Sequence, residues 1–451
     1  MIQARNIASN VLYRSQSGKH TLDQLLSQAD QQVQRLNRAD RALLHAIVYG
    51  VLRWQARLDW VIDHLTLRPG KKIDPLVRVI LRMGLFQMHY LERIPTSAAV
   101  NTSVELTKKK RRKWASGFVN SVLRRAADTG KEIPWPDRGS DPIDFLSTFY
   151  AFPQWLICRW VGHWGVDETE ALCKSINTIP PITVRTNTLR VDRQQLLEQI
   201  QTEAKEISFT AHSPEGISFS SVRHPIAHWK AFQKGWFQVQ SEAAQCIAHL
   251  LDVSSGHRVW DACAGLGTKT AHLAQLMEDK GRILATDLSA NKLGDLKVEM
   301  RRLGITIVEP LQLDLAHPPA HWHRGSYDRI LVDAPCTGLG VLQKNPDGKW
   351  LGNPAMIQHN SRRQLTLLDN AAIHLKPKGV MVYAVCSIEP EENEQVIQGF
   401  LQKHSEFVIE HPKLDQVMNG KELLTSEGFV KTSPHKHQMD GFFAAALKKR
   451  G

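Results

Sequence analysis

The chain has 451 residues, too many for one compact core, which predicts two or three domains, and its hydrophobic content of 42% excludes wholesale disorder. Its net charge of +12 favours a polyanionic partner such as a nucleic acid. The six cysteines form no Cys-x-x-Cys pair, so we expect no metal site and a reducing compartment. The first residues lack a signal-peptide core and no stretch approaches a membrane span, so we expect a cytoplasmic protein without a membrane partner.

Residues 1 to about 130 are predicted to be almost entirely helical. Apolar residues recur at helical spacing from Leu43 to Leu52, and the stretch from Leu76 to Met88 is apolar nearly all round, as in the central helix of a bundle. A basic run at 108–113 precedes a short amphipathic helix at 117–125. The run could contact phosphates or be a solvated basic turn.

A mixed region follows a joint rich in proline and glycine at 133–140, which marks a domain boundary. The region is predicted to contain a strand at 181–187, a helix at 192–202 and a strand at 236–240. From residue 257 onward strands alternate with helices, the pattern of a parallel sheet covered on both faces. The predicted strands are His257–Ala262, Arg282–Leu288, Thr306–Val308, Asp328–Val332, Gly379–Val385, Phe407–Glu410 and Phe442–Leu447.

The turn after the first of these strands, Asp261–Thr270, has the character of a ligand loop. Its glycines allow a ligand close to the backbone, and the helix that follows favours negative charge at its N-terminus. A phosphate loop needs lysine directly after glycine, but Thr268 separates Gly267 from Lys269, which argues against an NTPase. A dinucleotide fingerprint needs a small residue at Thr270, so NAD is disfavoured.

Acidic residues follow the next strands of the predicted sheet. Asp287 ends the second strand, where a carboxylate can accept both hydroxyls of an adenosine ribose. Asp314 and Asp333 follow the third and fourth strands. This series predicts a nucleoside-binding crevice, and S-adenosylmethionine is the cofactor that fits it.

Two cysteines occupy the most informative positions in the chain. Cys336 lies in Asp-Ala-Pro-Cys-Thr-Gly-Leu-Gly and Cys386 in Tyr-Ala-Val-Cys-Ser, and each follows an apolar run that predicts a buried parallel strand. Ligands of open α/β sheets bind at the carboxyl ends of such strands. Two thiols there indicate covalent chemistry on a flat electrophile, whereas two buried structural cysteines are the alternative.

These motifs together resemble the RNA (cytosine-C5) methyltransferases of the Nol/Nop/Sun group. The matching segments are Asp261–Thr270, Asp287, Asp314, Asp333–Gly340, Asn345–Trp350, Tyr383–Ser387, Glu391–Asn393 and Asp440–Phe443. The helical N-terminus resembles the NusB-like RNA-binding domain, through 40–43, 50–53 and 117–125. The combination is similar to the bacterial members that act on 16S rRNA.

The resemblance implies a multidomain fold with three parts. They are an all-α NusB-like RNA-binding domain at 1–130, a small mixed α/β domain at 141–240 and a Rossmann-like class I methyltransferase domain at 241–451. It implies 16S rRNA as the partner, no DNA and a monomeric protein. The basic side chains implied to bind RNA are Lys108, Lys109, Lys110, Arg111, Arg112, Lys113, Arg124 and Arg125.

The resemblance also implies roles at the site. Cytosine C5 is too poor a nucleophile to take a methyl group until a thiolate has added to C6. Cys386 is implied to be that nucleophile, Cys336 to assist release of the product, and Asp333 to hydrogen-bond the N3/N4 edge of the base. The residues implied to bind S-adenosylmethionine are Cys263, Ala264, Gly265, Leu266, Gly267, Thr268, Lys269, Asp287, Asp314 and Asp333.

One departure concerns the cofactor loop. The family usually has Pro-Gly-Gly-Lys where this chain has Leu266-Gly267-Thr268-Lys269. Threonine at a position with positive φ would be strained, so either Gly265 shifts the turn or the loop is slightly remodelled.

Three other functions are compatible with parts of the pattern. The substrate could be tRNA or another rRNA site, and only the NusB-like domain favours 16S rRNA. A DNA cytosine methyltransferase would use the thiol of the Pro-Cys turn as its nucleophile and leave Cys386 idle. An RNA-binding factor could keep the methyltransferase fold without activity, but it would have no need of both thiols.

Overall fold

The computed structural model describes residues 2–66, 72–129, 133–318, 324–411, 414 and 417–451. The chain forms two compact units, one of residues 1–178 with 344–352 and the other of residues 179–343 with 353–451. Within the described ranges no helix is both long and apolar enough to cross a membrane.

The first unit is helical, as the sequence predicted for its residues 1 to about 130. Its long central helix begins at a proline and is capped by Asp74, whose carboxylate accepts from the backbone of Leu76 and Val77. That helix is buried on nearly every side between Val77 and Gln87, which the sequence predicted. The helices of residues 1–178 are α1 (Ile2–Ser15), α2 (Leu22–Gln28), α3 (Asp30–Gln34), α4 (Arg38–Arg53), α5 (Gln55–Leu65), α6 (Pro75–Tyr90), α7 (Thr96–Lys109), α8 (Ser116–Thr129), α9 (Pro142–Phe149), α10 (Gln154–Trp164) and α11 (Val166–Ile176).

A segment from far along the chain completes this first unit. The ammonium group of Lys349 is fully buried and donates to the carbonyls of Arg53 (3.1 Å) and Ala151 (3.2 Å) and to Asn177 Oδ1 (2.7 Å). Burial lowers the pKa of Lys349 well below its usual value. The Asn345–Trp350 motif therefore packs inside the helical unit. Deletion of residues 1–130 would remove the Arg53 carbonyl that accepts from Lys349.

The second unit begins with a small antiparallel sheet. Its strand order is β3-β4-β1-β6, and a separate two-stranded ladder pairs β2 with β5. The apolar side chains of this region, among them Val184, Ile217 and Phe237, form their own core. The elements are β1 (Ile182–Thr186), α12 (Arg193–Ile200), β2 (Ala204–Lys205), β3 (Ser208–Phe209), β4 (Gly216–Phe219), β5 (Ser221–Val222), α13 (Lys230–Gln233) and β6 (Phe237–Val239).

The larger part of the second unit is a doubly wound α/β domain, which confirms the predicted class. The strand order is β12-β14-β11-β10-β7-β8-β9, with β13 paired to β14; β11 to β9 run parallel, and β14 is antiparallel to β11. The elements are α14 (Glu242–His249), β7 (Arg258–Asp261), α15 (Thr268–Leu276), β8 (Arg282–Asp287), α16 (Ala290–Leu303), β9 (Val308–Gln312), β10 (Tyr327–Asp333), α17 (Gly348–Leu351, in the first unit), α18 (Pro354–Ala372), β11 (Leu375–Val385), α19 (Glu394–Lys403), β12 (Phe407–Ile409), β13 (Val430–Thr432), α20 (Pro434–His437) and β14 (Phe442–Lys449).

The strand predicted at 306–308 is wrong in its position, because β9 spans Val308–Gln312. The backbone N–H groups of Thr306 and Ile307 donate to the carboxylate of Asp279 and are unavailable to start a ladder. β9 is the edge of the sheet, where a proline such as Pro310 is tolerated and the apolar pattern is weak.

Buried polar side chains join the small sheet to the cofactor-loop side of the α/β domain. Arg185 of β1 donates to the carbonyl of Thr268 (2.9 Å), the first residue of α15. Glu215 lies against two histidines, with its Oε2 atom 3.2 Å from His249 Nε2 and 3.7 Å from His272 Nε2. These contacts fix α15, and with it the preceding loop, against the neighbouring sheet.

His272 predicts an acid-sensitive contribution to stability. It is fully buried, and burial together with the charge of Arg185 lowers its pKa to about 3, whereas the unfolded chain titrates near ~6.5. Between pH 7.5 and pH 5 the unfolded state therefore takes up a proton that folded His272 does not. The free energy of unfolding should fall by roughly 2 kcal/mol from this group alone. Glu215 shifts stability in the same direction: burial acts to raise its pKa, but the hydrogen bond from His249 and the proximity of His272 lower it by more.

Urea denaturation of the second unit at pH 7.5 and pH 5 measures this effect. The control is His272→Gln, which retains a polar side chain beside Glu215 and His249 but has no titrating group. Between pH 7.5 and pH 5 the free energy of unfolding of the variant should fall by roughly 2 kcal/mol less than that of the wild type. Equal losses in the two proteins would contradict the lowered pKa of His272.

Candidate active site

The two cysteines meet because their strands are neighbours. β10 pairs with β11 in parallel, and the last residues in register are Asp333 and Ala384, so both chains leave the sheet at the same edge. The sulfur atoms of Cys336 and Cys386 lie 3.2 Å apart and share a hydrogen bond. The sequence predicted this edge for both thiols.

The loop after Cys336 is held close to the strand ends by glycine. Gly340 donates to the carbonyl of Cys386 (3.0 Å) and accepts from the backbone of Gly441 (2.7 Å). A Cβ atom at Gly340 would lie 1.9 Å from the Gly441 carbonyl oxygen, so only glycine allows this approach.

A buried carboxylate ties the two cysteine segments together. Glu392 accepts from the backbone (2.9 Å) and the hydroxyl (2.5 Å) of Thr337, next to Cys336, and from the hydroxyl of Ser387 (2.5 Å), next to Cys386. A fourth donor is the side-chain amide of Gln364 (3.1 Å). Because Glu392 is fully buried, each of these bonds satisfies a group that water cannot reach.

The two thiols have unequal surroundings. The hydrogen bond to Cys386, followed by burial, raises the pKa of Cys336 well above its usual value. Cys336 therefore favours its protonated, neutral form. Burial also raises the pKa of Cys263, with support from the nearby aspartates, so this third cysteine stays a neutral packing residue.

Lys269 provides positive charge at the strand ends. Its ammonium group lies 2.6 Å from Asp333 Oδ2 and is almost fully buried. Burial acts to lower the pKa of Lys269, but Asp333, hydrogen-bonded to it, and Cys386 raise it above the ordinary value, so the group stays charged.

A cavity of 610 Å³ opens at the same edge of the sheet. Its walls include three carboxylates, Asp287, Asp314 and Asp333, together with the sulfur-bearing residues Cys336 and Cys386. Carboxylates at these strand ends can accept hydrogen bonds from ribose hydroxyls and attract a cationic group. The cavity wall therefore fits a positively charged nucleoside. Of the residues predicted to bind the cofactor, Cys263, Gly265, Asp287, Asp314 and Asp333 line this cavity.

The rest of the predicted cofactor loop supports the cavity from outside. Ala264, Leu266, Gly267, Thr268 and Lys269 are not among the lining residues. Gly265 and Gly267 carry the positive φ angles (56° and 81°), whereas Thr268 begins α15, so threonine is unstrained there. Gly265 also donates its backbone N–H to Asp287 Oδ2 (3.0 Å), which orients the loop.

Burial raises the pKa of Asp261, below this loop, to about 7. One of its oxygens accepts from the Thr270 hydroxyl (2.7 Å). It is a structural residue of the loop and contributes no wall to the cavity.

The basic side chains predicted to bind RNA lie at the end of α7, in the turn that follows and on α8. Lys108, Lys109, Arg111, Lys113 and Arg124 are exposed. Lys110 donates to Asn10, and Arg112 forms an ion pair with Asp74 (2.9 Å), so these two also support the turn.

The roles of two residues were not predictable from the sequence. Glu392 was only part of a matching motif. No pattern in the chain predicts that Thr337, Ser387 and Gln364 donate hydrogen bonds to it. Lys269 was assigned to the cofactor, and its pairing with Asp333 depends on the packing of α15 beside β10.

Sequence profiles of known families match three parts of the chain. The sequence profile described as 16S rRNA methyltransferase RsmB/F matches residues 248–448, the NusB family profile matches 2–128, and the ferredoxin-like domain of the RsmF/B methyltransferases matches 152–224. The Synechocystis protein named "Probable ribosomal RNA small subunit methyltransferase B" is 36% identical over the full length of both chains.

Two further matches cover nearly the whole chain. Ribosomal RNA small subunit methyltransferase B of Pseudomonas syringae is 33% identical over 99% of this chain and 96% of its own. The solved structure of a protein designated PH0851 aligns over 99% of both chains with a TM-score of 0.81 and 28% identity.

Proposed function

The chain belongs to the ribosomal RNA small subunit methyltransferase B family, and on that premise we propose that it methylates C5 of a cytosine in 16S rRNA through a covalent cysteine–C6 bond. The observation that carries the proposal is the contact of two thiols, 3.2 Å apart, in the wall of a nucleoside-sized cavity. S-adenosylmethionine, when bound there, supplies the methyl group as a sulfonium.

The nucleophile in this proposal is Cys386. Its thiolate adds to C6 of the cytosine and the electron pair moves to C5, which becomes the nucleophile toward the methyl group that bound S-adenosylmethionine would supply. A base removes the C5 proton, and the bond from Cys386 to C6 breaks to restore the ring. The charged Lys269 supports the thiolate, and the raised pKa of Cys336 supports its role as the neutral thiol that assists release.

Asp333 is the proposed contact to the N3/N4 edge of the base. It lines the cavity beside both thiols, and its Oδ2 atom is paired with the ammonium group of Lys269. A cytosine in folded RNA must be turned out of its stack to reach these groups.

The cofactor site predicts a loss of affinity in Asp287→Ala. Asp287 lines the cavity and accepts from the backbone of Gly265 and Ser289, so its removal takes away both a ribose acceptor and a loop contact. Calorimetric titration with S-adenosylmethionine should show affinity reduced by about 1.5–3 kcal/mol. Asp295→Ala, an exposed change on α16, is the matched control. Unchanged affinity in Asp287→Ala would refute the ribose contact.

Bisulfite sequencing tests the substrate. Total rRNA and tRNA from a deletion strain should lack one 5-methylcytosine in 16S rRNA, and the purified protein should restore it. If the lost modification lies in tRNA or in another rRNA, the reaction stands but the substrate is different. Loss of no 5-methylcytosine would overturn the proposed function.

A further inference from the structure

The turn between α7 and α8 presents an aromatic ring to solvent. Trp114 is 72% exposed, the largest value among the tryptophan, tyrosine and phenylalanine side chains of the described residues. Within those residues no other ring, cation or hydrogen-bond partner contacts its side chain. An exposed Trp leaves a large apolar surface in contact with water, which favours a role in binding.

The turn that carries the ring is well ordered. Lys113–Ala115 forms a 3₁₀ turn whose last residue, Ala115, is fully buried. Arg112 anchors the turn through its pair with Asp74 and donates its backbone N–H to the carbonyl of Thr107 (3.0 Å). A partner that binds Trp114 therefore meets a turn whose backbone is already held in place, so less entropy is lost in ordering it.

The chain segment that precedes the ring is rich in exposed cations. Lys108, Lys109, Arg111 and Lys113 are all exposed and lie within six residues of Trp114 in the chain. A Cβ atom added to Gly117, just beyond the turn, would meet nothing within 4 Å, so space is available there. An aromatic platform set among cations is the arrangement that binds single-stranded nucleic acid, with stacked bases and neutralised phosphates.

We propose that Trp114 stacks on an unpaired base of rRNA while the lysines and arginine of its turn hold the flanking phosphates. This inference rests on the proposed function, because it takes RNA as the partner. It adds a base contact to a surface that the sequence suggested only as a phosphate contact. The cations around the ring favour RNA over an apolar protein partner, which would gain nothing from them.

The test uses the full-length protein and two probes, deproteinised 16S rRNA and an oligouridylate. Trp114→Ala should weaken binding to both about ten-fold, with an unchanged dependence of affinity on salt, because stacking releases no counterions. Trp114→Phe should bind nearly as tightly as the wild type. Lys113→Ala should instead reduce the salt slope by about one.

Two controls keep the outcome interpretable. Trp164→Ala removes a partly exposed tryptophan outside the turn and should leave RNA affinity unchanged. Cofactor affinity and thermal unfolding should match the wild type in all these variants. RNA should also quench less tryptophan fluorescence in Trp114→Ala than in the wild type.

The outcomes separate this inference from the proposed function. If Trp114→Ala binds both probes within two-fold of the wild type, stacking is refuted, whether or not the cation variants weaken binding. If Trp114→Phe is as weak as Trp114→Ala, an indole-specific contact replaces stacking. In either case methyl transfer to saturating rRNA reports on the proposed function independently, since Trp114 takes no part in the chemistry.

Discussion

Cys386→Ser is expected to abolish methyl transfer and never to become covalently attached to RNA, whereas Cys336→Ser is expected to accumulate a covalent enzyme–RNA complex. The serine hydroxyl at 386 would not ionise near neutral pH, so no bond to C6 could form and the rate should fall by at least about 10⁴-fold. Cys336→Ser retains the nucleophile, and the adduct forms and accepts the methyl group. Its breakdown is slowed because the thiol beside Cys386 is missing.

Denaturing gels of enzyme incubated with labelled 16S rRNA and S-adenosylmethionine make the measurement. The adduct of Cys336→Ser should disappear in the double variant with Cys386→Ser. Cys158→Ser is the control, since this exposed cysteine of α10 is not part of the cavity wall. An adduct that appears with Cys386→Ser and vanishes with Cys336→Ser would reverse the roles and indicate the DNA-type mechanism. If neither variant traps RNA while both are inactive, the division of labour between the thiols is wrong.

The position of the two thiols was predictable because it depends on a regular element. Long β-branched runs before Cys336 and Cys386 predicted parallel strands, and parallel strands bring their carboxyl ends to one edge whatever the intervening chain does. The all-round apolar pattern of α6 was equally direct evidence of a central helix. Periodicity identified these elements because burial on all sides leaves a simple pattern.

Other features depend on contacts that no local pattern encodes. Lys349 is an ordinary basic residue in the sequence, and only the fold reveals that three oxygen acceptors from distant parts of the chain surround it. The start of β9 was misplaced because Asp279, far back in the chain, takes the N–H groups of Thr306 and Ile307. Such long-range polar contacts override local propensity, and one sequence contains no periodic signal for them.

The cofactor loop was predictable only in part. Its glycines and its place after β7 were recognisable, and Gly265 does take the left-handed conformation that relieves Thr268. The division of the loop into residues that line the cavity and residues that support it was not predictable. It depends on how α15 packs, since a Cβ at Gly267 would lie 2.6 Å from Leu296 of α16.

Glu392→Ala is expected to reduce kcat by more than about 100-fold while leaving cofactor affinity nearly unchanged. The carboxylate is the common acceptor for Thr337, Ser387 and Gln364, so its loss leaves buried donors unpaired and frees both cysteine segments. Displacement of a reacting group by about 1 Å costs a factor of this size, and the unpaired donors should lower the free energy of unfolding by roughly 3 kcal/mol. Asp287, which holds the cofactor in our proposal, belongs to a different strand end.

The position of the thiols, and not stability alone, must account for the loss of activity. In the Cys336→Ser background, Glu392→Ala should slow the appearance of the covalent complex, measured at a temperature where both proteins are folded. Glu392→Gln retains one acceptor oxygen and should fall between the wild type and alanine, whereas Glu391→Ala, the adjacent carboxylate, is the control. If Glu392→Ala is folded and forms the complex at the rate of its parent, the thiols are positioned by the backbone contacts of Gly340 alone, and Glu392 contributes only to stability.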